Sequence, residues 1–129
     1  MGAANNFQTS FSGEAAFNTN FNTTLSRFSV PQDGLYALNS VVEWQPGTGS
    51  IRCIYIFVYD STDALKFQAN SCMTPINLAG NPFYQSAAGT FYLKQSDYVV
   101  VKVFSDVLTS IFTNNSAEYQ SNFVISRLR

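Results

Sequence analysis

Arg27-Phe28-Ser29-Val30-Pro31-Gln32-Asp33-Gly34-Leu35-Tyr36 and Gly89-Thr90-Phe91-Tyr92-Leu93-Lys94-Gln95-Ser96-Asp97-Tyr98-Val99-Val100-Val101-Lys102-Val103 decide the fold of this chain. Each reads as strand, tight polar turn, strand. Pro31 and Gly34 bracket the first turn, and Lys94-Gln95-Ser96-Asp97 forms the second. Working outward, runs rich in aromatic and β-branched residues recur between clusters of Gly, Pro, Asn, Asp and Ser. The pattern predicts strands over 5–11, 15–19, 25–30, 34–44, 50–59, 64–70, 83–93, 97–105, 108–113 and 119–128. No amphipathic helix of ten or more residues is visible. Many short strands with regular turn signals predict an all-β antiparallel sandwich or barrel.

The chain has 129 residues, enough for one domain around one hydrophobic core. We read 1–129 as that domain, with 1–14 an N-terminal strand or partly tag-derived. Only 12% of residues are charged, about half the usual share, and Asn, Ser, Thr and Gln fill the gap. With a net charge of −1 and no basic cluster, the chain carries no electrostatic footprint for nucleic acid. No stretch approaches the roughly 18 apolar residues of a membrane span, so no membrane insertion is expected. The absence of histidine removes the commonest general base and the commonest transition-metal ligand. A serine nucleophile would lack its base, and the scattered carboxylates form no acid–base constellation. We therefore expect no enzyme and no cofactor.

Two strands do not alternate. Ile51 to Tyr59 is apolar on both faces except at Arg52, and Tyr98 to Phe104 except at Lys102. A sandwich strand has one face on the core and one on solvent. A domain of this size has no second core, so the outer face is expected to pack on another copy of the chain, or else under loops or the N-terminal segment.

Three blocks resemble the C1q-like domain family. Phe28-x-Val30-Pro31-x-x-Gly34-Leu35-Tyr36 is similar to its FxxPxxGxYxF block. Leu93-x-x-x-Asp97-x-Val99-x-Val101-x-Val103 is similar to its LxxGDxVxVxV strand pair. Ser121 to Leu128 is similar to its SxFSGxLL closing strand. The resemblance covers roughly residues 15–129. Ser96 and Ile125 stand where the family usually has Gly, and Leu38 where it has an aromatic. These departures mark a distant, non-vertebrate-type member.

The resemblance implies a ten-stranded jelly roll, related to the tumour-necrosis-factor fold and assembled as a homotrimer. It implies a non-catalytic, extracellular or cell- or virion-surface recognition head that binds a glycan or a cell-surface protein multivalently. A structural role, as the trimeric knob of a viral or phage fibre or spike or of a surface-layer protein, is the alternative. Under this reading Val99, Val101 and Val103 face the core. Tyr98, Val100, Lys102 and Phe104 face the trimer interface, with Tyr55, Phe57 and Tyr59 beside them.

Four further features admit two readings each. Cys53 and Cys72 lie in a similar pair of strands to cysteines of some C1q-like heads, and form a disulfide or remain two reduced cysteines. Trp44, at a strand end before a polar loop, stacks on a ligand or caps the sandwich. Asp60-Ser61-Thr62-Asp63 is a ligand-binding loop with a weak capacity for calcium, through Asp60 and Asp63, or ordinary turn chemistry. Asn22-Thr23-Thr24 and Asn114-Asn115-Ser116 match the glycosylation acceptor pattern, which chance supplies readily in such a composition.

Overall fold

The computed structural model describes residues 2–3, 8–12, 21–22, 27–44, 51–74, 83–105, 111–112 and 122–129. Their regular structure is entirely strand: β1 (Gly2–Ala3), β2 (Gln8–Ser12), β3 (Phe21–Asn22), β4 (Arg27–Ser29), β5 (Gly34–Trp44), β6 (Arg52–Tyr59), β7 (Leu65–Met73), β8 (Phe83–Leu93), β9 (Tyr98–Ser105), β10 (Ile111–Phe112) and β11 (Asn122–Arg127). Side chains are described for seven of these, β4 to β9 and β11. The expected strands 34–44 and 83–93 form with those limits. The one expected over 64–70 runs on to Met73, and within 108–113 the described residues, Ile111–Phe112, are strand. The expected strand 15–19 lies outside the described residues.

The strands make two sheets. One has the order β3-β4-β9-β6-β7, with β1 paired to the Lys102–Val103 end of β9. The other has the order β10-β5-β11-β2, with β8 along the opposite edge of β5. All pairs are antiparallel except one. β2 runs parallel to β11, Thr9 opposite Phe123, the one parallel pair among the described strands of sheets that are otherwise antiparallel as expected. Parallel neighbours need a long crossover instead of a hairpin, and here nearly the whole chain separates the two strands.

Between the sheets the period-2 pattern of a strand sorts the side chains. Along β6, Ile54, Ile56 and Val58 enter the core, and Tyr55, Phe57 and Tyr59 point away. Along β9, Val99 and Val101 are core residues and Val103 packs against them, as expected for that strand. Phe28, Tyr36, Leu38, Trp44, Leu93, Phe123 and Ile125 complete the layer with others. Each such side chain contributes about 1.5–3 kcal/mol by leaving water. Tyr36 is buried to the tip, where its hydroxyl donates to the Gln32 carbonyl at 2.8 Å.

The two sequence blocks are neighbours in space. Phe28 lies opposite Val99 and Ser29 opposite Tyr98. Val30 N–H donates to the Asp97 carbonyl at 2.8 Å, and Ser96 N–H to the Val30 carbonyl at 3.0 Å. Asp97 is buried, and its Oδ2 accepts from Lys94 N–H at 2.8 Å and from Lys66 Nζ at 2.5 Å. Across the gap between turns, Asp33 accepts from Gln95 N–H at 2.8 Å. Gly34 is required by close approach: a Cβ there would meet the Arg129 carbonyl at 2.5 Å.

Candidate functional site

The outer face of the β9–β6 pair carries a continuous aromatic file. Tyr55 and Phe57 stack at 5.3 Å between ring centroids. Phe57 and Tyr59 follow at 6.1 Å, and Tyr59 and Tyr98 at 5.2 Å. The file crosses strands because Tyr59 is paired directly with Tyr98, and Phe57 with Val100. The flanking rings leave Val100 only 8% exposed although it belongs to no core cluster. Cations close both margins: the Arg27 guanidinium lies 4.4 Å from the Tyr98 centroid, and Lys102 Nζ lies 5.7 Å from that of Phe57.

At the Tyr98 end of this face a cleft of about 500 Å³ opens. Arg27, Ser29 and Tyr98 form its sheet side. Two turns supply the rest: Ser61 and Asp63 from the β6–β7 hairpin, Gln95 and Ser96 from the β8–β9 connection. Val30 and Pro31 close the wall. Within it the Tyr98 hydroxyl donates to Asp63 Oδ1 at 2.7 Å. Burial, the bond to Asp63 and that carboxylate's charge push the Tyr98 phenol up to about 12, so it remains a donor at neutral pH. Arg27 and Asp63 both touch Tyr98 but form no ion pair with each other. Arg27 Nε is shielded and has no hydrogen-bond partner.

Backbone conformation singles out the same place. Among the described residues, Asp63 (φ 68°) and Ser96 (φ 73°) are the non-glycine residues with positive φ, and both line the cleft. Left-handed backbone costs such residues of order 1–3 kcal/mol and persists only where the surroundings enforce it. At Ser96 the turn closed by Asp97 N–H to the Lys94 carbonyl enforces it. At Asp63 the hairpin does, through Asp63 N–H to the Asp60 carbonyl and Asp60 N–H to the Ala64 carbonyl.

The structure separates the residues singled out in the sequence. Asp63 belongs to the cleft. Asp60 serves its own turn instead, its Oδ1 accepting from Thr62 N–H, Thr62 Oγ1 and Ala64 N–H at 2.8, 2.6 and 3.1 Å. Those bonds hold its carboxyl below the usual carboxylate range, the Thr62 hydroxyl contributing most. Of the two readings of this loop, these contacts are those of turn chemistry for Asp60, whose carboxylate caps the turn, while the Asp63 carboxylate meets a phenol. Among the described residues no group of three or more His, Cys, Asp or Glu side chains converges.

Of the two readings of Trp44, its burial agrees with the capping one and not with ligand stacking: it is 2% exposed, its indole N–H donates to Gln85 Oε1 at 2.8 Å, and the Arg52 guanidinium lies over its ring at 5.3 Å. Cys53 and Cys72, directly opposite in β6 and β7, form a disulfide. Tyr55, Phe57, Tyr59, Tyr98, Val100, Lys102 and Phe104 share the outer face. Ser61 and Asp63 come from the loop singled out in the sequence, whereas the cleft residues Arg27, Ser29, Gln95 and Ser96 were not foreseen as a site. Their one signal was Ser96 standing where the resembled family has Gly.

No protein-family model matches the chain, and neither does any curated protein.

Proposed function

We propose that the chain is a non-catalytic recognition head of C1q-like or tumour-necrosis-factor-like type: a jelly roll that assembles as a homotrimer and displays ligand sites several at a time. It would work outside the cell or on a cell or virion surface, with a glycan or a surface protein as ligand. The strand orders β4-β9-β6-β7 and β2-β11-β5-β8 support the jelly roll, because apart from the β6–β7 hairpin the chain passes between sheets at each step from β4 to β9.

The observation that carries the trimer is the aromatic file. Tyr55, Phe57, Tyr59 and Phe104 are half-buried on a face whose described cations, Arg27 beside Tyr98 and Lys102 beside Phe57, lie at its margins. Rings of this size gain most when their remaining area leaves water, and tyrosine hydroxyls tolerate the rim of an interface. A second and third copy supply the same apolar surface, which suits a closed cyclic assembly. Three heads then raise the avidity of a weak single site.

Light scattering of the folded protein at micromolar concentration tests the assembly. The expected mass is three times the 14.3 kDa of the chain. Val100→Lys should give a folded monomer. A monomeric parent protein overturns the trimer. A glycan-array screen with and without calcium tests recognition. Selective binding to one sugar family supports the head, whereas a blank array on a trimeric protein moves the reading to a protein ligand or a fibre-knob role.

A further inference from the structure

We propose that the cleft between Arg27, Asp63 and Tyr98 is the ligand site and that it takes an acidic sugar, with the sugar carboxylate on Arg27 and sugar hydroxyls on Asp63 and the flanking serines. The proposal rests on the recognition reading above but not on the trimer. Its volume, about 500 Å³, lies within the range of small-molecule sites.

Three observations select the ligand class. First, the Arg27 guanidinium stacks on Tyr98 yet forms no ion pair or hydrogen bond among the described residues, so no described carboxylate neutralises the charge held there. A carboxylate is the planar anion that a guanidinium matches best. Second, Asp63 spends Oδ1 on the Tyr98 hydroxyl, leaving Oδ2 to accept from a ligand hydroxyl. Ser29, Ser61 and Ser96 add hydroxyls that both donate and accept, the complement of a polyol.

Third, β9 lies between β4 and β6, so Tyr98 is flanked by Arg27 on one side and Tyr59, at 5.2 Å, on the other. A neutral sugar therefore lacks the open aromatic platform it would stack on, and charge and hydrogen bonds must carry binding. The left-handed backbones of Asp63 and Ser96, each enforced by its own turn, bring two residues of separate turns to this one cleft.

Amide chemical shifts of the folded protein, titrated with galacturonate, test the proposal, with galactose and acetate as controls. Galacturonate should move the signals of Ser29, Ser61, Asp63 and Ser96 with a Kd of about 1–10 mM, and galactose and acetate at least about tenfold less tightly. Arg27→Gln should weaken galacturonate about tenfold. Ser61→Ala, in an exposed turn where folding is not at stake, should weaken it about threefold. Equal binding of galactose or of acetate overturns the acidic-sugar assignment, as does the absence of cleft shifts at about 20 mM galacturonate. If a glycan array is positive and Arg27→Gln leaves that binding intact, the cleft proposal falls while the recognition reading stands.

Discussion

The Tyr98 hydroxyl donates to Asp63 Oδ1 at 2.7 Å, across a sequence separation of 35, and thereby joins the central strand of one sheet to the hairpin turn beyond its neighbour. The bond marks the end of the sandwich at which the cleft opens. On one side of Tyr98 runs the aromatic file, on the other lies the cleft. Its phenol holds Arg27 by its ring and Asp63 by its oxygen.

Tyr98 should therefore respond to alkaline pH in a defined direction. Its folded-state value of about 12 lies above the ordinary value of 10.0, so the stability it contributes is complete below pH 10 and is lost as pH rises through about 12. Burial raises Tyr36 and Tyr84 as well, so absorbance titration should show Tyr98 among several late-ionising phenols, and Tyr98→Phe should remove one of them. Asp63→Asn, which keeps an acceptor but removes the charge, should bring the late titration back toward 10. A titration unchanged by Asp63→Asn would assign the shift to burial alone.

Ser96→Gly should stabilise the protein. Ser96 carries φ 73° in the turn closed by Asp97 N–H on the Lys94 carbonyl, a conformation glycine adopts freely. Relief of that strain, less the greater unfolded-state freedom of glycine, predicts a gain of about 0.5–1 kcal/mol in urea denaturation. A loss instead would mean that the Ser96 side chain holds the turn.

The alternating valines of β9 and the Pro31–Gly34 turn made the sandwich legible, because a strand's period and its turn residues are local properties. The separation of Val99 and Val101 from Tyr98 and Val100 follows from that period alone. The parallel pairing of β2 with β11 is not local, and no pattern in either segment announces it. Trp44 left two readings open for a related reason. Its place beside a polar loop was visible, but the Gln85 oxygen that satisfies its indole lies 41 residues on, in another strand. The cleft draws a few residues each from two strands and two turns, which only the tertiary fold brings together. In the sequence the Asp60–Asp63 loop and the departure from Gly at Ser96 were its only hints.

Gln85 should be the most sensitive polar residue of the core. Buried at 4% exposure, it accepts from Trp44 Nε1 at 2.8 Å and donates to the carbonyls of Ser71 at 2.8 Å and Arg52 at 3.0 Å. Gln85→Leu fills the space but strands one donor and weakens two acceptors. The expected cost is about 2–4 kcal/mol by urea denaturation, with a red-shifted or broadened Trp44 emission if the indole turns toward water. A cost below about 0.5 kcal/mol would mean that other groups satisfy the indole.

The disulfide offers the cleanest separation of fold from stability. Cys53 and Cys72 lie opposite each other in a pair that continues from Arg52–Met73 to Tyr59–Leu65, so the hairpin has its register without the bridge. The cross-link acts chiefly on the unfolded chain, where it closes a loop of sequence separation 19. Chain entropy sets that contribution at about 3 kcal/mol. Cys53→Ala with Cys72→Ala should therefore keep the strand content by circular dichroism while lowering urea stability by about that amount. The oxidised parent should show no thiol reactive toward an aromatic disulfide reagent even when unfolded. Loss of the β6–β7 pairing in the double variant would show instead that the bridge is needed to set the register, and with it the Tyr55–Phe57–Tyr59 face beside it.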